Sequence, residues 1–314
     1  MPQPRTVVVT IPEMINDGDL APLRELSVVD YHEVEKLSED ELAALVAGYD
    51  YLMLNYDVVK TLSGDFYRRE PVRALKAISV DITGMDWASP QVAAENDVRL
   101  LNIPHYSTES VAETILAETL LHSRQRHLAY VDEIKGRPIE GRKGINLTGR
   151  RAAIIGLGSI GSRTAELLSG VGMEVVGWTR SGLATQLTLA EIFSSAAVIC
   201  VCCKTVREGA ETNVGFVGRE LLMRCNGAIV INLANVDLVD HDAMADAIRD
   251  GCVSAYTVER NDKLIDSPLA GMEQVHFPPS NSWFSEESLQ MLRHVWVRNV
   301  VGAINDEFPN TVAG

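Results

Sequence analysis

The chain has 314 residues, 46% of them hydrophobic and 23% charged, with a formal net charge of -15. That length is enough for one large core or two smaller ones. The acidic balance argues against nucleic acid or an anionic membrane surface as a partner, while leaving room for a local pocket that takes a small-molecule substrate. No apolar run reaches membrane-spanning length, and the start Met1-Pro2-Gln3-Pro4-Arg5 lacks the apolar core of a secretory signal. Cys200, Cys202 and Cys203 crowd one apolar stretch, and Cys225 and Cys252 stand alone. This is neither a disulfide framework nor zinc spacing, so a cytoplasmic protein with buried free thiols and no metal is expected.

In chain order, Val7-Val8-Val9 and Val28-Val29 read as buried strands. Ser38 and Glu41 have capping-box spacing ahead of a helix whose apolar stripe is Leu42, Leu45 and Val46. Strands are predicted next at 51–54, 77–80 and 98–101, and the fourth ends in a polar, glycine-bearing loop that contains Thr83 and Gly84. This strand–helix alternation predicts a small parallel α/β domain. A long helix is predicted from about 109 to 130, with Thr108 as its cap and Val111, Ile115, Leu116, Thr119 and Leu120 on one face. Residues 131–148 read as a loop, with Gly136, Pro138, Gly141 and Gly144.

The stretch from Gly149 to Gly161 organises the second half of the chain. Residues 152–155 form an apolar strand, and Gly156, Gly158 and Gly161 then fit a G-x-G-x-x-G turn into a helix start. The first glycine permits the tight turn, the second lets a pyrophosphate approach the backbone, and the third lets the helix pack on the strand. The unpaired N–H groups of Ser159, Ile160 and Gly161 at the helix start would meet the phosphates. Further strands are predicted at 174–178, 197–202, 228–233 and 253–256, separated by helices at 160–169, 188–195, 218–224 and 241–249. This is the alternation of a doubly wound Rossmann sheet. After Glu259 the pattern breaks into a proline-bearing loop, and a last helix at about 286–305 carries Leu289, Leu292, Trp296 and Val300 at helical spacing. It is too apolar to be a tail and is expected to pack back on the first domain.

Several of these segments resemble the D-isomer-specific 2-hydroxyacid dehydrogenases. Thr83-Gly84-Met85-Asp86 is similar to the family loop that holds a substrate carboxylate on backbone N–H groups. Asn102-Ile103-Pro104 with Val111-Ala112-Glu113, the glycine fingerprint, and Asn232-Leu233-Ala234-Asn235 through Asp240 occur in the family's order. The resemblance implies a dinucleotide-binding Rossmann domain at 104–284 and a smaller flavodoxin-like substrate domain from 1–103 with 285–314. It also implies a homodimer formed through the cofactor domains.

The departures fall at the chemistry. The family's catalytic Arg, Glu and His positions hold Asn235, Asp262 and Pro279. Asparagine can donate a hydrogen bond but not a charge-assisted bidentate contact, and proline has no proton to exchange. Val236 in place of a glycine is expected to add bulk near the substrate. His105, in a position where the family has glycine, is the candidate acid or base. Asn55, Tyr56 and Ser280 are candidate substrate contacts. Where the family often has an Asp for the ribose diol, the second Rossmann strand ends in Trp178-Thr179-Arg180-Ser181. Two hydroxyls and a guanidinium suit a 2′-phosphate, so NADP is favoured, with NAD as the alternative. The family Asp that meets the nicotinamide carboxamide appears as Thr257. His122, His127, His241, His276, His294 and Lys204 are read as packed or solvated side chains. The leading expectation is an NADP-dependent oxidoreductase with a non-standard carbonyl or imine substrate. The alternatives are a lyase, cyclase or isomerase on the same fold, or a non-catalytic nucleotide sensor.

Overall fold

Short runs of buried aliphatic and β-branched residues build two parallel sheets. The computed structural model describes residues 3–181, 185–207 and 211–312. Its chain divides into Met1–Tyr106 with Ser285–Gly314, hereafter unit 1, and Ser107–Phe284, hereafter unit 2.

Unit 1 contains β1 (Arg5–Thr10), α1 (Asp17–Arg24), β2 (Val28–Glu33), α2 (Glu39–Leu45), β3 (Tyr51–Leu54), α3 (Gly64–Tyr67), α4 (Glu70–Arg73), β4 (Ala77–Val80), α5 (Pro90–Glu95) and β5 (Arg99–Leu101). The strands are parallel in the order β2-β1-β3-β4-β5, which is the flavodoxin-like order. The predicted capping box is present: Glu41 accepts from the Ser38 N–H at 2.8 Å, and Ser38 Oγ accepts from the Glu41 N–H at 3.3 Å. Helix α1 escapes a sequence reading because Pro22 lies inside it; its own box pairs Asn16 with Asp19.

Unit 2 begins with α6 (Thr108–Arg124) and α7 (Arg126–Ile134). Then come β6 (Arg151–Ile155), α8 (Ser159–Gly170), β7 (Glu174–Trp178), α9 (Leu189–Ser195), β8 (Val198–Val201), α10 (Arg219–Leu222), β9 (Ala228–Asn232), α11 (His241–Arg249), β10 (Val253–Val258) and β11 (Val275–His276). The sheet order is β11-β10-β9-β8-β6-β7, all parallel. The order reverses between β6 and β8, and the carboxyl ends of strands at such a switch point are where open α/β sheets bind ligands. The chain then returns to unit 1 as α12 (Glu286–Ile304), where the fully buried Trp296 donates its indole N–H to the Ser79 carbonyl at 2.9 Å.

The single long helix expected over 109–130 is two helices, and it is capped at Ser107 rather than Thr108. Gln125 is left-handed, with φ of 48°, and separates α6 from α7. The cause is tertiary. The Ile145 N–H donates to the Ser123 carbonyl at 2.7 Å, and Gln125 Nε2 donates to the Lys143 carbonyl at 3.3 Å, so the 143–145 segment takes over the end of α6. Helix α7 therefore occupies the start of the expected 131–148 loop.

Candidate cofactor and substrate sites

The glycine turn lies at the switch point. Gly156 has φ of +103°, and a Cβ there would lie 2.7 Å from the Cys203 backbone at the end of β8. A Cβ on Gly161 would lie 1.9 Å from the Gly156 carbonyl oxygen. Both positions admit only glycine because backbone meets backbone. Gly158 differs: it has open space around it, ordinary extended dihedrals, and caps α8 with no side-chain bond to the helix start. The first-turn N–H groups at Ser159, Ile160 and Gly161 are thus presented beside an exposed glycine, an arrangement that fits the diphosphate of a dinucleotide.

Beyond β7, Thr179 and Ser181 share a hydroxyl–hydroxyl bond of 2.9 Å. Arg180 Nη1 lies 2.6 Å from Glu211, with both side chains more than half exposed. Trp178 stacks on Phe216 with ring centroids 5.4 Å apart. Burial pushes the Cys202 thiol up to about 12 and raises Cys203 as well, which favours the thiol over the thiolate beside the turn.

After β9, Asn235 caps a 3-10 turn, and its Oδ1 accepts from the Asp237 N–H at 2.9 Å. Asp237 is gripped by Lys263 at 2.6 Å and by Arg207. Burial would raise its carboxyl, but the bonds and charges of these two cations outweigh that and hold it below the ordinary range. Val236, expected to add bulk near the substrate, is 8% exposed and packs in the core of unit 2. Asp262 is exposed on a second short turn capped by Asn261. Ser280 donates to Glu259 at 2.8 Å, and the same carboxylate accepts from the Ser282 N–H at 3.1 Å. Glu259 thus anchors the 280–282 loop, a role invisible in sequence because the two segments lie about twenty residues apart.

In unit 1, Asn55 is buried and donates to Asp81, which also accepts from the Tyr56 N–H at 2.8 Å. Desolvation pushes the Asp81 carboxyl up to about 7. Tyr56 packs edge-on against Trp87 at 5.0 Å, and Lys60 lies 4.1 Å over its ring. Thr83 donates to the Ile103 carbonyl at 2.6 Å, Asn102 to the Thr83 carbonyl at 2.7 Å, and Trp87 to the Gly84 carbonyl at 2.9 Å. The loop that exposes Thr83 and Gly84 is therefore fixed from three sides, whereas Asn55 acts from beneath it through Asp81. His105 is exposed with φ of 63°, a glycine-like backbone.

The model of the D-isomer specific 2-hydroxyacid dehydrogenase NAD binding domain matches residues 117–281. The chain belongs to this family. It is 26% identical over 249 residues to the hydroxypyruvate reductase of Blautia hydrogenotrophica, covering 72% of this chain and 74% of that protein. It is 22% identical over 289 residues to the D-lactate dehydrogenase of Treponema pallidum, covering 84% and 85%. Two solved structures share the fold. The TT0316 protein from Thermus thermophilus has a TM-score of 0.85 at 24% identity, and an acyclic imino acid reductase (Bsp5) in complex with NADPH and D-Arg has 0.86 at 17%. Each match covers 98% of this chain and 100% of the other. Unit 2 is accordingly a nicotinamide-dinucleotide-binding Rossmann domain of oxidoreductase type. Among the described residues no helix is long and apolar enough to cross a membrane.

One dehydrogenase position departs in its surroundings as well as in residue type. Thr257, expected to face the cofactor, is fully buried; its hydroxyl donates to Glu118 Oε2 at 2.9 Å and lies 2.6 Å from His122 Nε2. His276, paired with Thr257 across β10 and β11, places Nδ1 2.8 Å from the same carboxylate oxygen. Burial pushes His122 down to about 4, and the bond to Glu118 raises His276. Burial would raise Glu118, but His276, Thr257 and His122 together hold it below its ordinary value. The ring of His127 lies 5.4 Å from that of His122 and 6.2 Å from that of His276. Unlike Thr257, the residues Glu118, His122, His127 and His276 did not figure among the expected site residues. The one local signal was Glu118 and His122 at i and i+4, which share a helix face.

Proposed function

We propose that this family member is an NADP-preferring oxidoreductase acting on a small carbonyl or imine substrate. The observation that carries the reading is the end of β7, where Thr179, Arg180 and Ser181 stand in place of the expected Asp, with Arg180 held by the Glu211 carboxylate that a 2′-phosphate would have to displace. A 2′-phosphate suits two hydroxyls and a guanidinium, and an Asp there would repel it. Gly156, Gly158, Ser159, Ile160 and Gly161 would hold the diphosphate. The nicotinamide, when bound, supplies the hydride, and the protein's part is to position and protonate.

Asn235 spends its carbonyl oxygen on Asp237, leaving the NH2 group as the donor for a substrate oxygen or nitrogen. In unit 1, backbone N–H groups at Thr83 and Gly84 would take an anionic substrate group beside Tyr56, with Asn55 bracing the loop from below through Asp81, and in unit 2 Ser280 is a separate candidate substrate contact. His105 or water would supply the proton, and Asp262 would act only through water, being exposed. An imine suits this set better than a 2-oxo acid, because neither Asn235 nor Pro279 provides the charge or the proton of the family's Arg and His. The same fold carries an imino acid reductase solved with NADPH.

Exposed Leu120, Tyr130, Val131, Ile134 and Ile139 on and after α6 and α7 support a homodimer through unit 2, and five free cysteines support a reducing, cytoplasmic setting.

The test is a fluorescence titration with NADPH and NADH in parallel. NADPH binds more tightly, and Arg180→Ala weakens NADPH about tenfold while leaving NADH unchanged, a charge-assisted bond discounted for exposure. Glu211→Gln, which frees Arg180 from its ion pair, tightens NADPH. Equal affinities with no effect of Arg180→Ala would overturn the NADP preference. Failure of both nucleotides to bind at about millimolar concentration, a free energy near -4 kcal/mol, would overturn the redox reading. Because Pro279 replaces the proton-exchanging His, nucleotide binding without turnover on carbonyl or imine acids would favour the sensor reading instead.

A further inference from the structure

We propose that Glu118, His122 and His276 form a binding site for a divalent transition-metal ion of the zinc type, with water as the fourth ligand. One oxygen or nitrogen atom from each of the three residues lies within 4.8 Å of the others, and this is the cluster of that kind found among the described residues. Glu118 Oε2 is 2.8 Å from His276 Nδ1 and 3.7 Å from His122 Nε2. Ligand bonds of about 2.0–2.1 Å at tetrahedral angles set donor atoms about 3.3 Å apart. The two separations from Glu118 bracket that value and the third lies within 4.8 Å, so side-chain adjustment without backbone movement would seat the ion.

Three further observations support the site. His122 and His127 line a cavity of about 210 Å³ that is also bounded by β10, the α6–α7 junction, Arg142 and Glu273, which leaves room for a water beside His122. The Nδ1 atom of His127 is buried without a hydrogen-bond partner. The Thr257 hydroxyl donates to Glu118, the kind of outer bond that orients a metal-ligating carboxylate. Two imidazoles and a carboxylate suit zinc, copper or nickel rather than magnesium or calcium. Binding needs no oxidant or reductant. In the metal-free chain His276 Nδ1 carries a proton toward Glu118 and His122 Nε2 carries one toward Thr257, so metal binding moves each proton to the other ring nitrogen or releases it to solvent, and the carboxylate binds in its ionised form. His122 Nε2 exchanges its contact with Thr257 for the metal. The ion would tie α6 to the β10–β11 edge of the sheet.

The experiment uses the tag-free full-length chain, stripped with a chelator, dialysed, and titrated with ZnCl2 alone by calorimetry and with CoCl2 by visible absorption. One ion binds per chain, and cobalt gives the intense visible bands of a four- or five-coordinate site. Losing an outer bond costs about 10–100-fold in metal affinity, so Thr257→Val falls in that range. His276→Ala and Glu118→Gln lose more than about 100-fold. His294→Ala, on the exposed face of α12, leaves binding unchanged. Circular dichroism and the NADPH titration report whether each variant is folded. His276 is the least buried of the three ligands, and the cobalt spectrum of the unmodified chain needs no variant. The absence of saturable zinc binding, a six-coordinate cobalt spectrum like that of the free ion, or full affinity in folded His276→Ala and Glu118→Gln would each overturn the site. None of these outcomes bears on nucleotide binding.

Discussion

Gly158 and Gly161 belong to one fingerprint, yet the structure assigns them opposite sensitivities. In Gly161→Ala the new Cβ would lie 1.9 Å from the Gly156 carbonyl oxygen, where real Cβ atoms keep beyond 3.0 Å. The obstacle is backbone and cannot rotate away, so the turn and the start of α8 must separate by about 1 Å. Alanine returns about 1 kcal/mol of helix propensity. Forced overpacking costs about 1–3 kcal/mol and more where backbone moves. The net loss is therefore about 2 kcal/mol. In Gly158→Ala nothing lies within 4 Å of the new methyl group, and the φ of -72° suits alanine. Replacing glycine at a helix cap costs about 0.5–1 kcal/mol, and the stiffer unfolded chain returns about 0.4–1 kcal/mol, so stability is unchanged within error. The methyl group would stand where a diphosphate approaches, and NADPH affinity falls by about 100-fold or more, equivalent to about 2.7 kcal/mol. Urea denaturation and NADPH titration on both variants provide the assay. A Gly161→Ala protein as stable as the unmodified chain, or a Gly158→Ala protein that binds NADPH normally, would refute the reasoning.

Two further perturbations test unit 1. Asp81 titrates at about 7 in the folded chain against an ordinary value of 3.8. Between those values the folded state keeps a proton that the unfolded state has released, so stability falls as pH rises through the window, by up to about 1.4 kcal/mol per pH unit, and levels off above it. Urea midpoints from pH 4.5 to 7.5 should slope downward in the unmodified chain and flatten in Asp81→Asn, whatever that variant's absolute stability; parallel slopes would show that Asp81 is ionised throughout. His105→Gly relieves a left-handed residue, about 1–2 kcal/mol, offset by about 0.4–1 kcal/mol of unfolded-chain entropy, so its melting temperature holds or rises slightly. If His105 supplies the proton, the same variant loses about 10²–10⁴-fold in turnover, and unchanged turnover assigns that role to water.

The central strands were legible because β1, β3, β4, β6, β8 and β9 are runs of mostly buried apolar residues between polar turns, and the cofactor turn because its glycines answer local steric demands. Gly156 and Gly161 are required by backbone atoms of the turn itself and of the neighbouring strand end at Cys203. What stayed hidden depends on distant chain. Gln125 is neither glycine nor proline, and it breaks the helix only because 143–145 captures the Ser123 carbonyl. Glu259 is a charge after a strand until the fold brings Ser280 and the Ser282 N–H to it. His122 and His276 are 154 positions apart, and the β10–β11 pairing that brings His276 beside Thr257 leaves no periodic trace in a two-residue strand.

Thr257 and Glu118 are best understood together. The family resemblance places a carboxylate at 257, and here the side chain at that position lies 2.9 Å from Glu118 Oε2 in a fully buried setting. Two carboxylates at that distance cannot both ionise; one would take up a proton or force the pair apart. Threonine turns repulsion into donation, since its hydroxyl hydrogen points to Glu118 while its oxygen remains open to His122. The loss of the aspartate is thus the condition under which an ionised Glu118 can sit beneath the sheet and gather His122 and His276. By the same reasoning, Thr257→Asp would not restore an ordinary family site. It would add a second buried carboxylate beside Glu118, which must take up a proton in chelator but could stay ionised against a bound cation, so the variant should lose stability in chelator and recover it when ZnCl2 is added. Equal stability in chelator and in zinc would separate the threonine from the metal.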